Sequence, residues 1–230
     1  MSWPRRVITI TGTAMTTSTD CTRADPGRRF ILSAALFGAA PAILGGGCSA
    51  PSGEKLSFKT TDITGANFAR SLALTDAATG EPRTLESYRG KVAVFFFGYM
   101  FCPDYCPTTM SALNTALGRM KPEDAARVQV VFVTVDPKRD QPKLLTDYVR
   151  AFNPSFAALT GTEAQIADTA KEWKIIYQKA QVKDENTYLV DHSTQMYAFD
   201  GKGRLRLLIK HETGADAIAQ DLTTLVRATL

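Results

Sequence analysis

The sequence has little net charge, few cysteines and few histidines: its 230 residues include four cysteines and two histidines, and the formal net charge is +4. Five arginines against two aspartates give residues 1–47 a charge of +3, which leaves the rest of the chain nearly neutral at +1. A nearly neutral body does not attract nucleic acid, so no nucleic-acid partner is expected. Four cysteines are too few for a small domain that is stabilised mainly by disulfides, and a chain of this length does not need disulfides to fold.

Several functional patterns are also missing. The sequence has no glycine-rich phosphate loop, and no Ser–His–Asp order indicates a hydrolase. Its apolar run at residues 30–44 is fifteen residues long, whereas a membrane-spanning helix needs about 20. Hydrophobic residues make up 44% of the chain and charged residues 22%, as in a globular protein with one domain and added segments.

Residues 1–48 have the features of a disordered leader that ends in an export signal or membrane anchor. The first 27 residues are polar, and Met1 and Met15 are both candidate starts. Arg28 and Arg29 precede the apolar run, and three glycines follow it, which is the order of a signal peptide. The paired arginines before Phe-Ile-Leu resemble a twin-arginine export signal.

Cys48 follows these glycines and is the candidate for a lipid anchor, as in a bacterial lipoprotein, although Gly45 stands where such signals usually have Leu. An uncleaved signal anchor and simple cleavage are the alternatives. All three place the body outside the cytoplasm, and we expect it on the periplasmic face of the cytoplasmic membrane. Residues 49–61 are interpreted as a linker and residues 62–230 as one domain.

The body alternates strand and helix patterns. Fully apolar runs predict two strands buried on both faces. The predicted strands are Phe68–Leu74, Arg83–Leu85, Val92–Phe97, Val128–Val135, Tyr188–Val190, Gln195–Phe199 and Leu205–Ile209. The predicted helices are Met110–Met120, Leu144–Phe152, Ile166–Trp173 and Ala215–Leu230. This order predicts an α/β, thioredoxin-like fold with an N-terminal hairpin, a central mixed sheet and flanking helices.

Cys102 and Cys106 lie between the first buried strand and a helix, at the sheet edge where ligands bind in α/β folds. Pro107 suits the first helical position, which would put Cys106 at the helix N-terminus, where the dipole stabilises a thiolate. Two thiolates suit Cu(I), and an added imidazole extends the site to Cu(II). The spacing also permits a disulfide between Cys102 and Cys106, either redox-active or merely stabilising.

Three motifs in order make the chain similar to the Sco (SenC) family of copper chaperones over about residues 74–227. They are Cys102-Pro-Asp-Tyr-Cys106-Pro after Phe-Phe-Gly-Tyr, Val133-Thr-Val-Asp136-Pro-Lys-Arg-Asp140, and Val190-Asp-His192-Ser. The resemblance implies that Cys102, Cys106 and His192 bind copper and that Asp136 shapes the metal loop or a redox partner surface. Met100 and Tyr105 depart from the family pattern; for Met100 we favour packing over a thioether ligand.

The resemblance implies a metallochaperone that passes copper to the dinuclear copper site of a respiratory cytochrome c oxidase, with the copper-receiving subunit or another copper chaperone as partner. A thiol–disulfide oxidoreductase that reduces the acceptor's cysteines is the alternative. A peroxidase of the peroxiredoxin type would fit the fold, but a Thr-x-x-Cys setting is missing. The second histidine, His211, is expected to be exposed to solvent.

Overall fold

The computed structural model describes residues 56–230. Its strands are β1 (Thr61–Asp62), β2 (Leu74–Asp76), β3 (Pro82–Arg83), β4 (Val92–Gly98), β5 (Val128–Thr134), β6 (Ala157–Thr160), β7 (Tyr177–Ala180), β8 (Leu189–His192), β9 (Met196–Phe199) and β10 (Leu205–Ile209). Its helices are α1 (Tyr105–Arg119), α2 (Pro122–Ala125), α3 (Pro142–Phe152), α4 (Glu163–Glu172) and α5 (Ala215–Thr229), with a 3₁₀ turn at Leu85–Tyr88. The predicted leader, the anchor at Cys48 and most of the linker lie outside the described residues.

The centre of the sheet is the parallel pair β4 and β5, whose side chains are almost all buried. β6 runs parallel to β5, and β9 runs antiparallel to β4, so the sheet is mixed. The strand order is β1-β10-β9-β4-β5-β6-β2-β3. β7 and β8 form a separate antiparallel ribbon, in which Tyr177 pairs with His192.

Helices and aromatic side chains cover both faces of the sheet. On one face α1 packs against α3 and α5, and Phe96 of β4 contacts Phe132 of β5. On the other face Trp173, just after α4, packs edge-on against Phe95 and tilted against Phe97. The predicted α/β, thioredoxin-like arrangement with a hairpin, a mixed sheet and flanking helices is confirmed. Within residues 56–230, no helix is long and apolar enough to cross a membrane.

Three local predictions were wrong. The strand expected at Phe68–Leu74 is limited to β2, because Ala69 adopts a left-handed φ of 52° that interrupts an extended chain. β6 and β7 were not predicted. α1 begins at Tyr105, so Pro107 takes the third helical position; its missing N–H removes no helical bond there, because the first four N–H groups have no partner within the helix.

Candidate metal centre

The loop between β4 and α1 carries both cysteines of the candidate site. The Cys102 N–H donates to the Tyr99 carbonyl over 3.3 Å, and the Thr108 N–H donates to the Asp104 carbonyl over 3.2 Å at the start of the helix. The Asp104 side chain makes no capping hydrogen bond to this helix. Cys106 is fully buried, whereas Cys102 keeps 9% of its surface exposed. Cys102 is therefore the sulfur that a reagent in solution reaches first.

Gly98 makes room for the Cys106 thiol at the end of β4. A Cβ added at Gly98 would lie 2.6 Å from Cys106 Sγ and 3.1 Å from ring carbons of Phe132. Side-chain atoms do not approach so closely, so only glycine fits while the thiol keeps its place. Gly98 was not predicted to be a supporting residue, because the side chains that it contacts lie eight and thirty-four positions further along the chain.

His192 reaches the cysteines from the end of β8. At this end the two strands of the ribbon are joined by the Ser193 N–H, which donates to the Ile176 carbonyl over 2.9 Å, and by the Ile176 N–H, which donates to Ser193 Oγ over 3.0 Å. The imidazole packs edge-on against Phe96 and Tyr99. Its Nε2 lies 3.5 Å from Cys106 Sγ.

The other imidazole nitrogen fixes the tautomer of His192. Nδ1 lies 2.9 Å from the Ser193 carbonyl oxygen, which can only accept a hydrogen bond, so Nδ1 carries the proton and donates. In the neutral ring Nε2 then keeps its lone pair and directs it toward the sulfurs. Metal-binding histidines are usually oriented by such a second hydrogen bond.

The predicted ligand atoms of Cys102, Cys106 and His192 all lie within 4.8 Å of one another. A trigonal ion held at about 2.3 Å by sulfur and about 2.0 Å by nitrogen keeps its ligand atoms about 3.7–4.0 Å apart. The three groups therefore need only small adjustments of their positions to hold one ion. Two thiolates and an imidazole are soft donors that suit copper.

The two thiols share one proton unequally. The pKa of Cys102 is lowered to about 3, chiefly by the hydrogen bond that it accepts from the Cys106 thiol and, against the effect of burial, by hydrogen bonds with His192 and with backbone N–H groups. The pKa of Cys106 is raised, first by that same hydrogen bond and then by burial. The expectation that the helix N-terminus makes Cys106 the thiolate is therefore wrong, because donation to Cys102 and burial both raise the pKa of Cys106.

Cys102 and Cys106 are free thiols in this structure. The disulfide between them stays a prediction for the oxidised protein, because it needs the sulfurs to approach to about 2.05 Å.

Asp140 supports the cysteine loop from the side of β5. Its carboxylate accepts the Met100 N–H over 3.2 Å and the Thr134 hydroxyl over 2.7 Å. Burial raises the pKa of this carboxyl to about 6. The backbone of Met100, two residues before Cys102, is thus held by the buried Asp140. This residue ends the second motif, and no role was predicted for it.

Arg139 connects the cysteine loop with the histidine ribbon. Its guanidinium lies 3.5 Å from the ring centroid of Tyr188 and 5.0 Å from that of Phe101, the residue before Cys102. It donates to the Tyr188 carbonyl over 2.8 Å and forms an ion pair with Asp136. Asp136, predicted to shape the loop, accepts the Tyr188 hydroxyl over 2.9 Å. Arg139 and Tyr188 were missed as supporting residues, and their contact spans forty-nine positions.

The remaining residues singled out near the site form its rim. Met100 is partly buried and packs against the core. Phe101 is 54% exposed and Tyr105 is 49% exposed. His211 is half-buried rather than open to solvent: its Nδ1 lies 2.9 Å from Thr109 Oγ1, and Tyr105 packs edge-on against its ring.

Comparison with known proteins gives a consistent result. Residues 60–227 match the model of the family described as SCO1/SenC. Over 126 residues, 54% of this chain and 61% of the relative, the chain is 36% identical to the SCO2-like protein RP587 of Rickettsia prowazekii. For the first three curated relatives, the chain spans between 42% and 64% of their length.

Two solved structures are similar in sequence and in fold. Bradyrhizobium japonicum ScoI, solved with copper bound, is 33% identical with a TM-score of 0.61, covering 67% of this chain and 97% of that one. The apo Sco1 protein of Thermus thermophilus is 36% identical with a TM-score of 0.67, covering 75% of this chain and 99% of that one.

Proposed function

Because this chain belongs to the SCO1/SenC family, we propose that it is a copper metallochaperone rather than an enzyme. It binds one copper ion through Cys102, Cys106 and His192 and passes the ion to the dinuclear copper site of a respiratory cytochrome c oxidase, directly or through another copper chaperone. The observation that carries the proposal is the convergence of two sulfurs and an imidazole nitrogen, from two separate segments, within 4.8 Å.

The proton distribution suits uptake and release of a soft ion. Cys102 offers a thiolate with 9% of its residue surface exposed, while Cys106 must lose its proton as the ion enters. The Nε2 lone pair of the neutral His192 ring completes the three-ligand set. Because Cys102 stays partly exposed, an incoming thiolate of the acceptor can replace the ligands one at a time.

We also propose that the domain acts outside the cytoplasm, on the periplasmic face of the membrane, tethered by its N-terminal segment. The signal-peptide pattern and Cys48 support this location. The division into leader (1–48), linker (49–61) and domain (62–230) is part of the same proposal.

Thiol–disulfide exchange is a second candidate, favoured by the unequal thiols. A low-pKa, partly exposed Cys102 is suited to attack a disulfide of the acceptor, forming a mixed disulfide. The deeper Cys106 would then attack Cys102 Sγ and release the acceptor with both of its thiols reduced. In this reaction His192 is not a reactant.

A transfer assay separates the two functions. The reduced protein is loaded with one Cu(I) and mixed under argon with the copper-receiving subunit in its dithiol form; in parallel, the metal-free protein is mixed with the disulfide form. A chaperone transfers copper to the dithiol, and His192→Ala impairs this transfer but not the reduction of the disulfide. If His192→Ala transfers copper as well as the wild type, the three-ligand proposal is wrong.

A further inference from the structure

An open groove with a volume of about 930 Å³ lies on the domain away from the cysteines and His192. We call it the arginine groove, because four arginines line it: Arg70, Arg89, Arg204 and Arg206. Asp62 and Glu86 are the acidic residues in its lining. It lies among the residues that the structure describes, and the proposed copper chemistry does not use it.

The arginines of the groove differ in how they are held. Arg204 and Arg206 bind the buried carboxylate of Asp200 over 2.7 and 3.3 Å, which fixes their positions. Arg70 and Arg89 are exposed, and their guanidinium groups form no ion pair among the described residues. The charge of Arg89 also interacts with Glu86, so Arg70 and, in part, Arg89 remain available to a ligand outside the domain.

Further exposed basic residues lie near Arg89 in the backbone at this end of the sheet. The Gly90 N–H donates to the Gly201 carbonyl over 2.9 Å, which brings exposed Lys91 and Lys202 together. The Val92 N–H donates to the Arg127 carbonyl over 2.9 Å, which adds a third exposed cation. This end of a nearly neutral domain is locally basic.

The pairing of β4 with β9 places the groove opposite the candidate metal centre. Ala93 pairs with Phe199, beside the turn that carries Arg204, whereas Phe96 pairs with Met196, close to His192. The cysteine loop follows the end of β4, and Arg89 precedes its start. Six residue steps of about 3.3 Å along β4 separate the two ends by roughly 20 Å.

The N-terminal segment meets the domain at the same groove. Leu56, the first described residue, is part of the groove lining. Eight residue steps separate it from Cys48, and a fully extended chain spans at most about 29 Å over eight steps. A lipid on Cys48 would therefore keep the groove within that distance of the bilayer, which is less than the domain's own diameter of roughly 40 Å.

We propose that the arginine groove docks on the anionic phospholipid headgroups of the membrane that holds the chain, so that the metal centre points away from the bilayer toward its acceptor. The proposal rests on the proposed membrane tether, but not on copper binding. A basic group near an anionic surface improves binding by about five-fold. Removal of Arg70 and Arg89 together should thus weaken docking by roughly 25-fold.

The test uses the full chain in its own lipid-anchored or signal-anchored form, reconstituted in vesicles of phosphatidylcholine alone or with phosphatidylglycerol. Amide hydrogen exchange is measured for residues 85–91 and 200–206 at the groove and for residues 99–106 at the metal centre. We expect slower exchange at the groove alone, only with phosphatidylglycerol, and reversal by 0.5 M salt, which screens exposed charges.

Two variants decide the outcome. Arg70→Gln/Arg89→Gln should lose the protection, whereas Lys143→Gln/Lys183→Gln, which removes two exposed charges elsewhere, should keep it. Slow exchange of β4 checks that each variant is folded, and copper binding should not change. Equal groove exchange in both kinds of vesicle, protection at residues 99–106 instead, or full protection in the arginine variant would each overturn the proposal while leaving the copper function untouched.

Discussion

Gly98→Ala should damage the candidate metal centre through a single methyl group. The added Cβ would lie 2.6 Å from Cys106 Sγ and 3.1 Å from Phe132, both of which are fully buried. The backbone of Gly98 is outside the left-handed region, so alanine suits its conformation and the effect is steric. Relief of the clash requires Cys106 Sγ to move by about 1 Å, because packed non-bonded atoms prefer about 3.5–4.0 Å.

The magnitude follows from two opposing effects. Overpacking of a close-packed core costs about 1–3 kcal/mol, and replacement of a strand glycine by alanine returns about 0.5–1 kcal/mol. The free energy of unfolding of the reduced, metal-free protein should therefore fall by about 1–2 kcal/mol. Copper affinity should fall by roughly 10–100-fold, the usual loss when the support of a metal ligand is disturbed.

The assay is urea unfolding of the reduced protein, followed by copper titration against a chromophoric chelator. Gly118→Ala is the matched control, because a Cβ there meets nothing within 4 Å in α1. It should raise the free energy of unfolding by about 0.5–1 kcal/mol and leave copper affinity unchanged. If Gly98→Ala is as stable as the wild type and binds copper equally well, the proposed contact between Gly98 and the thiol is refuted.

Three further predictions concern the support and the charge of the site. Arg139→Leu removes the ion pair with Asp136 and the stacking on Tyr188, so copper affinity should fall by about ten-fold in the same titration. Arg139→Lys should recover only part of the lost affinity. An unchanged copper affinity in Arg139→Leu would contradict this role. Because burial raises the pKa of Asp140 to about 6, this carboxyl contributes stability that is present below its ordinary pKa of 3.8 and lost as pH rises through 6. Between pH 4 and pH 7 the free energy of unfolding should therefore decline in the wild type by on the order of 2 kcal/mol more than in Asp140→Asn. If the free energy of unfolding depends on pH equally in both proteins, this role of Asp140 is contradicted. Iodoacetamide at pH 6 should modify Cys102 before Cys106, as peptide mass spectrometry would show, since the pKa of Cys102 is lowered and that of Cys106 is raised; the reverse order would contradict the proton assignment.

The parts of the fold that the sequence predicted are those whose burial is visible in local composition. β4 and β5 match the expected runs to within one residue, because strands covered on both faces are continuously apolar. β7 was missed because its four residues are exposed or half-buried and it pairs only with β8. Its place depends on a partner strand whose paired residues lie nine to fifteen positions further along the chain.

The residues of the candidate site also divide into those that the sequence predicted and those that it did not. The residues expected to bind metal stand in short motifs, and the structure brings their donor atoms together. Gly98, Arg139 and Asp140 support them through contacts between distant segments, which composition does not reveal. Which of the two cysteines is the thiolate depends on the hydrogen bond between their sulfurs. The prediction from the sequence rested on the helix dipole alone.

The most direct test of the central claim is an anaerobic copper titration of the reduced protein, followed by absorption and electron paramagnetic resonance. The wild type and His211→Ala should each bind one Cu(II) with the same affinity, because Nδ1 of His211 is engaged with Thr109. His192→Ala should keep its fold and bind Cu(II) at least about 100-fold more weakly, with a changed sulfur-to-copper band. Equal Cu(II) affinity in His192→Ala and the wild type would contradict the three-ligand copper site.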